Sequence, residues 1–195
     1  MPRTIGGAKL RKKIHPFGND IAIQRQHQLG SGAEGTAHAV RVTISGKENR
    51  SIGLVEKEFN PRTVNPVLSW SVTSKGPNLM NPRAQFALIE KLIKRNREEK
   101  LGLRFPATVR LVRKNDGTFS LLMTKLAVVD PYKLDWEKQD QYVTDALRQE
   151  EILKKAGYRV PRDCFFCVQD PTTHDVRAVI ADFGTLAYNQ KKNKK

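Results

Sequence analysis

Alternating apolar and polar positions predict strands in the first third of the chain. A short apolar run at residues 21–23 and β-branched runs at 37–44 and 52–59 are separated by glycines and polar turns. Residues that alternate in this way place one face of each strand toward a core. Residues 60–81 are rich in proline, serine, threonine and asparagine, and they predict a long loop of the kind that is uncommon without a function.

The next segment has the spacing of an amphipathic helix. Asn81 is an N-cap residue, and Pro82 occupies the first helical position, where its missing N–H is not needed. Apolar spacing at i, i+3 and i+7 extends the helix to about Lys100, and Gly102 is a candidate stop. The residues that share one face are Phe86, Ile89, Glu90 and Ile93.

Two hairpins and a second helix are predicted in the remaining chain. Residues 108–112 and 118–123 flank an Asp-Gly turn at 116–117, and residues 165–169 and 176–181 flank Asp170-Pro171. Between the hairpins, a helix is predicted from about Asp135 to Ala156. Its apolar positions include Trp136, Val143, Leu147 and Leu153.

Composition and charge limit the class of protein. With 195 residues, of which 38% are hydrophobic, the chain can form one domain or a small two-lobed one with a core. The net charge is +15, but nine cations lie in residues 3–13 and 191–195, which leaves +6 for the remainder. No apolar run approaches the roughly 18 residues of a membrane span. A cleavable secretory signal is not apparent, because no apolar stretch follows the first positive charges.

The cysteines and histidines carry no metal signature. Cys164 and Cys167 form a C-x-x-C, but without a second pair and inside an apolar run they are interpreted as packed thiols rather than a zinc or redox site. The four histidines are scattered without the spacing of ligands.

A G-x-G-x-x-G motif spans residues 30–35. In dinucleotide-binding folds these glycines open a helix, whose N-terminus holds a pyrophosphate. Here a β-branched strand at 40–44 follows instead, and the Gly-Lys-Ser/Thr of a P-loop is absent. A glycine turn between strands allows backbone N–H groups to approach phosphates closely. Gly30, Ser31, Gly32 and Gly35 are therefore candidate nucleotide-binding residues.

Lys57, on the third predicted strand, is a candidate ligand of the same phosphates. Val55, Lys57 and Phe59 share a face of an alternating strand, so we expect Lys57 to point inward with Val55 covering a base. A buried ammonium requires a carboxylate to offset its desolvation, and Glu90 on the predicted helix is the candidate. The alternatives are an edge-strand lysine in solvent and a glutamate at the rim of the helix face.

Asp182-Phe183-Gly184 follows the apolar residues 179–181. A carboxylate at a strand end can reach a Mg²⁺ that bridges two phosphates. The ordered set of glycine motif, strand lysine, helix glutamate and Asp-Phe-Gly resembles the protein-kinase superfamily over residues 21–188. The resemblance implies ATP and Mg²⁺ as cofactors, with residues 119–126 as the strand and hinge that bind adenine and Met123 near the back of the pocket.

The region before Asp182 departs from the kinase pattern of His-Arg-Asp with asparagine five residues after the aspartate. In one register Pro161-Arg162-Asp163 replaces His-Arg-Asp, so that Asp163 is the catalytic base and Val168 takes the asparagine position. In the other register Asp163 takes the place of the metal-binding asparagine, and the base position falls on Tyr158. Asp163 is a candidate base or metal ligand in both, and its role stays open.

The short remainder after Asp-Phe-Gly is similar to minimal bacterial kinases, including effector kinases secreted into host cells. We expect an α+β fold: a nucleotide-binding lobe of antiparallel strands with one helix at 21–126 and a reduced helical lobe at 127–188. Residues 1–20 and 189–195 are expected to be basic tails. The catalytic residues would be Lys57, Asp163 and Asp182.

The expected activity is transfer of the γ-phosphate of ATP to a serine or threonine hydroxyl of a protein, for which a host chaperone is one candidate. The alternatives are a pseudokinase that serves as a nucleotide-binding or interaction module and, as a secondary property, nucleic-acid binding. For the latter, the tails would act with Lys91, Lys94, Arg95, Arg97 and Lys100. We expect a monomer, in the cytoplasm of its own cell or secreted without a cleavable signal.

Overall fold

The strands predicted before residue 60 form one antiparallel sheet with the first of the two predicted hairpins. The strands are β1 (Ile21–Ser31), β2 (Gly35–Ile44), β3 (Arg50–Phe59), β4 (Val109–Arg113) and β5 (Phe119–Thr124), in the order β1-β2-β3-β5-β4. This computed structural model describes residues 21–32, 35–44, 50–59, 82–114, 117–184 and 186–188. The predicted loop at 60–81 and the predicted tails at 1–20 and 189–195 lie outside the described residues.

One face of the sheet packs a small apolar core. It consists of Val40, Val42, Val112 and Leu122, with Ile23 and Leu54 against them. The β2–β3 register places the core residues of both strands on the same face, because Val40 lies opposite Leu54. Residues opposite each other in an antiparallel ladder share a face, so the alternation predicted from the sequence is what brings these side chains together.

The first helix, α1, runs from Pro82 to Glu99, as predicted. Its buried residues include Gln85, Ile89 and Leu92, so the buried stripe is centred one residue away from the face that the sequence predicted. The helix ends where Lys100 adopts a left-handed backbone with φ 51° and the Leu101 N–H bonds to the Asn96 carbonyl at 3.2 Å. Lys100 therefore takes the terminal position usually occupied by glycine.

The second helix, α2, runs from Trp136 to Lys155 and also follows the prediction. The Asp135 carboxylate caps it by accepting a hydrogen bond from the Lys138 N–H, which satisfies one of the orphan donors of the first turn. Its predicted apolar positions divide between two environments. Leu153 is fully buried, whereas Trp136, Val143 and Leu147 are exposed.

The last third of the chain forms two ribbons. β7 (Phe165–Gln169) pairs with β8 (Val176–Ile180), as the sequence predicted. The two-residue strands β6 (Tyr158–Arg159) and β9 (Ala187–Tyr188) also pair, which the sequence did not predict. The chain that connects β8 to β9 buries Phe183 and Leu186 completely.

The chain divides into two compact units. Of the described residues, the first unit contains 21–32, 35–44, 50–59, 82–86, 107–114 and 117–125, and the second contains 87–106, 126–184 and 186–188. The predicted division near residue 126 assigned the whole of α1 to the first lobe, whereas the structure groups residues 87–106 with the second unit. Among the described residues, none of the helices is long and apolar enough to cross a membrane.

Candidate functional site

The glycine motif in the first unit lies in a turn between two paired strands. Gly30 lies opposite Ala37, and Ser31 lies opposite Thr36. Gly32 and Gly35 exchange backbone hydrogen bonds, with the Gly32 N–H donating to the Gly35 carbonyl at 2.9 Å and the Gly35 N–H donating in return at 3.3 Å. The motif therefore connects strand to strand rather than strand to helix.

The glycines of this turn differ in what the fold requires of them. A Cβ on Gly35 would lie 1.9 Å from the Glu58 carbonyl oxygen on β3, so the packing of the sheet excludes a side chain there. A Cβ on Gly30 or Gly32 would meet no atom within 4 Å. The fold gives no steric reason for these two glycines, which leaves open space above their backbone.

Lys57 lies on β3 in the row that leads to the glycine turn. It is opposite Ala37 on β2 and Leu121 on β5, and Ala37 is in turn opposite Gly30. The side chain is half-buried, and its Nζ is 5.7 Å from the centroid of the Phe59 ring. Lys57 thus shares the face of Phe59, as the strand alternation predicted.

Val55 and Met123 form the adjacent row on the same face. Val55 lies opposite Met123 on β5, and Met123 lies opposite Val109 on β4. Val55 is half-buried, and Met123 is buried. An apolar pair next to a lysine is a suitable surface for the flat ring of a base.

The opposite face of β3 carries a charged network that the sequence analysis missed. Glu56 is 3% exposed; its Oε2 accepts from the Arg25 Nε at 2.8 Å, and its Oε1 lies 3.4 Å from the Lys114 Nζ. Glu58 binds the same two cations. Burial alone would raise the pKa of Glu56, but the Arg25 hydrogen bond and the Lys114 charge outweigh it, and the pKa lies below its ordinary value. The sequence signal for this network was the pair of glutamates, Glu56 and Glu58, on either side of Lys57 in the strand.

Glu90 does not occupy the buried face on which the sequence analysis placed it. Its side chain is exposed on α1, whereas Ile89 and Leu92 take the buried positions. Gln85, a polar residue that the apolar pattern could not identify, is buried on the same stripe as Ile89 and Leu92. An exposed carboxylate remains in water and does not require the ammonium partner that a buried one would. Its pairing with Lys57 stays a prediction.

In the second unit, Asp163 and Asp182 lie at the same end of the β7–β8 hairpin. Asp163 is in the 3₁₀ turn that precedes β7, and Asp182 follows β8 by two residues. The register pairs Phe165 with Ile180, and the Cys164 carbonyl accepts from the N–H groups of Ala181 at 3.1 Å and Asp182 at 3.3 Å. Two residues far apart in the sequence are therefore neighbours through backbone bonds.

The Cys164 thiol lies within the electrostatic reach of both carboxylates. Its side chain is completely buried, and burial followed by the charges of Asp163 and Asp182 raises the pKa of Cys164 to about 12. Burial also raises the pKa of Cys167 to about 11, with Asp130 as the contributing charge. Both cysteines are free and buried, so the interpretation as packed thiols is confirmed.

The Asp-Phe-Gly segment has a defined local geometry. The half-buried Asp182 carboxylate accepts a hydrogen bond from the Gly184 N–H at 3.2 Å, which turns the chain after the aspartate. Phe183 is buried, and its ring is stacked on that of Phe105 with a centroid separation of 6.3 Å. The buried aromatic side chain anchors the segment and leaves the neighbouring carboxylate partly exposed.

Neither alternative register around Asp163 supplies a second accessible polar residue. Asp163 itself is exposed. Val168, the asparagine position of the first register, is buried within β7, and Tyr158, the base position of the second, is buried in β6. The kinase pattern places a catalytic base and a metal-binding amide before Asp-Phe-Gly. In either register, one of these two functions is therefore not supplied by the residue at its expected position.

A search for relatives among protein-family models and curated proteins gave no match to this chain.

Proposed function

We propose that this chain is an ATP- and Mg²⁺-dependent phosphotransferase, a minimal serine/threonine protein kinase that transfers the γ-phosphate to a protein hydroxyl. The observation that carries the proposal is that Asp163 and Asp182 lie at the same end of the β7–β8 hairpin, both next to Cys164, whose carbonyl accepts from the Asp182 N–H at 3.3 Å. Carboxylates held in this way can bind metal and accept a proton from an attacking hydroxyl.

The first unit supports the proposal with groups that suit a nucleotide. A Cβ at Gly30 or Gly32 would meet no atom within 4 Å, so no side chain obstructs the approach of a phosphate to this backbone, and Lys57 lies in register with that turn. The antiparallel strand order β1-β2-β3-β5-β4 supports the expected nucleotide-binding lobe, whereas only residues 82–86 of α1 belong to this unit. Under this proposal Val55 and Met123 contact the base.

The donor set is compatible with Mg²⁺. This ion prefers oxygen ligands and is usually bound through one or two carboxylates together with substrate phosphates and water. Asp163 and Asp182 supply such oxygens. Among the described residues there is no group of three or more metal-ligating side chains, so the phosphates would complete the coordination. Bound Mg²⁺ would neutralise charge on the β- and γ-phosphates.

In the proposed reaction the bond between the γ-phosphorus and the bridging oxygen breaks, a bond to the substrate hydroxyl oxygen forms, and ADP leaves. The hydroxyl proton passes to Asp163 if that residue is the base. Catalysis of this type depends mainly on positioning and on charge stabilisation.

A pseudokinase is the second candidate, and one observation favours it. Because β7 begins at Phe165, directly after the turn that contains Asp163, the chain has no room for a catalytic loop between the aspartate and the strand. A chain that binds nucleotide without transferring phosphate would tolerate this change.

The deciding experiment is incubation of the full chain with Mg²⁺ and ATP labelled at the γ-phosphate, with and without candidate protein acceptors. We expect labelled protein, with at least about 100-fold less label for Lys57→Ala and Asp182→Ala. Lys133→Ala and Asp140→Ala, at exposed positions outside the site, are the matched controls and should retain label. Nucleotide binding without any labelling would support the pseudokinase instead, and the absence of both would exclude the kinase and the nucleotide-binding form of the pseudokinase.

A further inference from the structure

Gln149, in the C-terminal half of α2, is a buried amide whose polar atoms are all hydrogen-bonded within the second unit. It is 0% exposed. Its Oε1 accepts from the Arg104 N–H at 2.8 Å, and its Nε2 donates to the Ala178 carbonyl at 2.8 Å and to the Asp145 Oδ2 at 3.3 Å. Buried polar side chains with full hydrogen bonding fix one arrangement of the groups around them.

Asp145 lies one helical turn before Gln149 and binds the same strand. Its Oδ2 accepts from the Ala178 N–H at 2.8 Å, and its carboxylate pairs with Arg104 and Arg148. The N–H and the carbonyl of Ala178 lie on the edge of β8 that faces away from β7. Both are therefore hydrogen-bonded to side chains of α2, the N–H to Asp145 and the carbonyl to Gln149. Two side chains thus take the place that another strand would occupy.

Gln149 also holds the segment that follows α1, together with Asn96. Asn96 bonds both backbone groups of Leu103 at 2.9 Å, and Gln149 takes the next backbone N–H, that of Arg104. The Arg104 carbonyl in turn accepts from the Ile180 N–H at 2.9 Å. Residues 103–104 are thus fixed between two amide side chains and the end of β8.

This arrangement leads directly to the Asp-Phe-Gly segment. Ala178 lies four residues before Asp182 and Ile180 two residues before it. Phe105, next to the fixed Arg104, stacks on Phe183, next to Asp182. Gln149 is the side chain that bonds to both sides of this arrangement, to Arg104 on one and to Ala178 on the other.

We propose that Gln149, supported by Asp145, is a positioning residue that sets the place of the Asp182 carboxylate. The inference rests on the proposed function, since it names what holds the metal-binding aspartate of that reaction. Gln149 touches neither nucleotide nor metal; it acts through β8 and through the Phe105–Phe183 stack. A displacement of about 1 Å in a catalytic group can cost on the order of 100-fold in rate, so this support is required for turnover.

Gln149→Leu removes the hydrogen bonds while keeping most of the volume. In the full chain we expect kcat to fall by about 10- to 100-fold and the Mg²⁺ concentration for half-maximal turnover to rise by about 10-fold, with little change in KM for a protein acceptor. Gln139→Leu is the matched control, because the Gln139 Nε2 also donates to a backbone carbonyl, that of Leu134 at 2.8 Å, near the start of the same helix. It should leave both quantities unchanged.

Asp145 provides a second pair of variants if Gln149→Leu fails to fold. Asp145→Asn keeps an oxygen that can accept from Ala178, whereas Asp145→Ala removes it. We therefore expect Asp145→Asn to require less additional Mg²⁺ than Asp145→Ala. Equal Mg²⁺ requirements for these two variants and the wild type would overturn the proposal, as would an unchanged Mg²⁺ requirement in folded Gln149→Leu.

Amide hydrogen exchange separates this inference from the proposed function. In Gln149→Leu we expect faster exchange in residues 180–184 and unchanged exchange in β4 and β5, which lie in the other unit. If the wild-type chain neither binds nor turns over Mg²⁺-ATP, the proposed function is wrong, and localised exchange still supports Gln149 as the residue that holds Asp182. Uniform exchange in both units would show a merely structural role and would refute the positioning role.

Discussion

At the scale of single residues, the glycines of the turn differ in what the packing of the sheet requires of them. Gly35 is needed by the sheet, because its position against the Glu58 carbonyl leaves no room for a Cβ, whereas Gly30 and Gly32 have open space. A motif read from the sequence alone treats all three alike. The structure divides them by the contacts that each additional methyl group would make.

We predict opposite consequences for Gly35→Ala and Gly32→Ala. Gly35→Ala should lower the free energy of unfolding by about 1–3 kcal/mol, because the sheet must shift to admit the Cβ. Gly32→Ala should change it by less than about 0.5 kcal/mol, yet it should weaken ATP binding, because the methyl group occupies the approach to the backbone. Urea unfolding and ATP titration of the two variants measure this. Equal destabilisation by both would contradict the assignment.

The thiol of Cys164 reports on the two carboxylates beside it. Its folded pKa of about 12 lies above the ordinary value of 9.0, so the native state favours the neutral thiol. The resulting stabilisation is fully present below about pH 9 and is lost as the pH rises toward 12. We expect slow labelling of native Cys164 by thiol reagents at pH 8 and rapid labelling after unfolding.

Cys167 serves as the internal control for this measurement. Asp163→Asn and Asp182→Asn remove charges that raise the pKa of Cys164, so they should speed its labelling at alkaline pH. Labelling of Cys167 should not change, because its raised pKa comes from burial and from Asp130. Equal acceleration at both cysteines would indicate general loosening, and no acceleration at Cys164 would mean that the carboxylates lie too far away.

At the scale of elements, local signals predicted most of the described structure. Caps and periodicity located both helices to within a residue or two, and the Asp-Gly turn and apolar alternation located both hairpins. The β6–β9 pairing was missed because two-residue strands have no period, and their partners are distant in sequence. Periodicity cannot detect a contact that only the folded chain creates.

The candidate site was predictable only as far as local pattern could reach. Lys57 falls on the predicted face of β3, and Asp182 follows the predicted strand β8. Glu90 does not lie on the buried face that was predicted for it. A helix of mixed composition offers two alternative buried stripes, and the structure buries the one that contains Gln85 and Leu92. No sequence pattern identified Gln149. A buried amide can be recognised only from the backbone groups to which it is hydrogen-bonded, and these are known only from the folded chain.

The buried and exposed faces of α2 should differ in how much their leucines contribute to stability. Leu153 is completely buried, and Leu147, six residues earlier, is exposed, although both are leucines at apolar positions. Leu153→Ala should lower the free energy of unfolding by about 2–5 kcal/mol. Leu147→Lys should change it by less than about 0.5 kcal/mol, since an exposed side chain loses little burial. Chemical denaturation of both variants tests this; a large loss for Leu147→Lys would show that its face is covered.

At the scale of the whole molecule, the distribution of charge matters more than its sum. Of the +15 net charge, the two ends carry nine cations, and α1 adds several more. Within α1, Lys94 lies 3.8 Å from Glu98, and Arg95 pairs with Glu99 at 2.6 Å. These pairs reduce the charge that the helix offers to phosphates. Any affinity of this chain for nucleic acid should therefore arise mainly from its ends.

We predict that the full chain binds single-stranded RNA without sequence preference at low salt. The logarithm of the binding constant should fall linearly with the logarithm of the salt concentration. The slope should be about −0.7 for each phosphate that is neutralised. Replacing the nine terminal lysines and arginines by glutamine should remove most of that slope, whereas replacing Lys91, Arg97 and Lys100 should remove little. Filter binding across a salt series measures both, and the nine-site variant should retain protein labelling from ATP. If the variant at Lys91, Arg97 and Lys100 lost the larger share, α1 and the residue that follows it would be the nucleic-acid surface. If binding were independent of salt, charge would not be its cause.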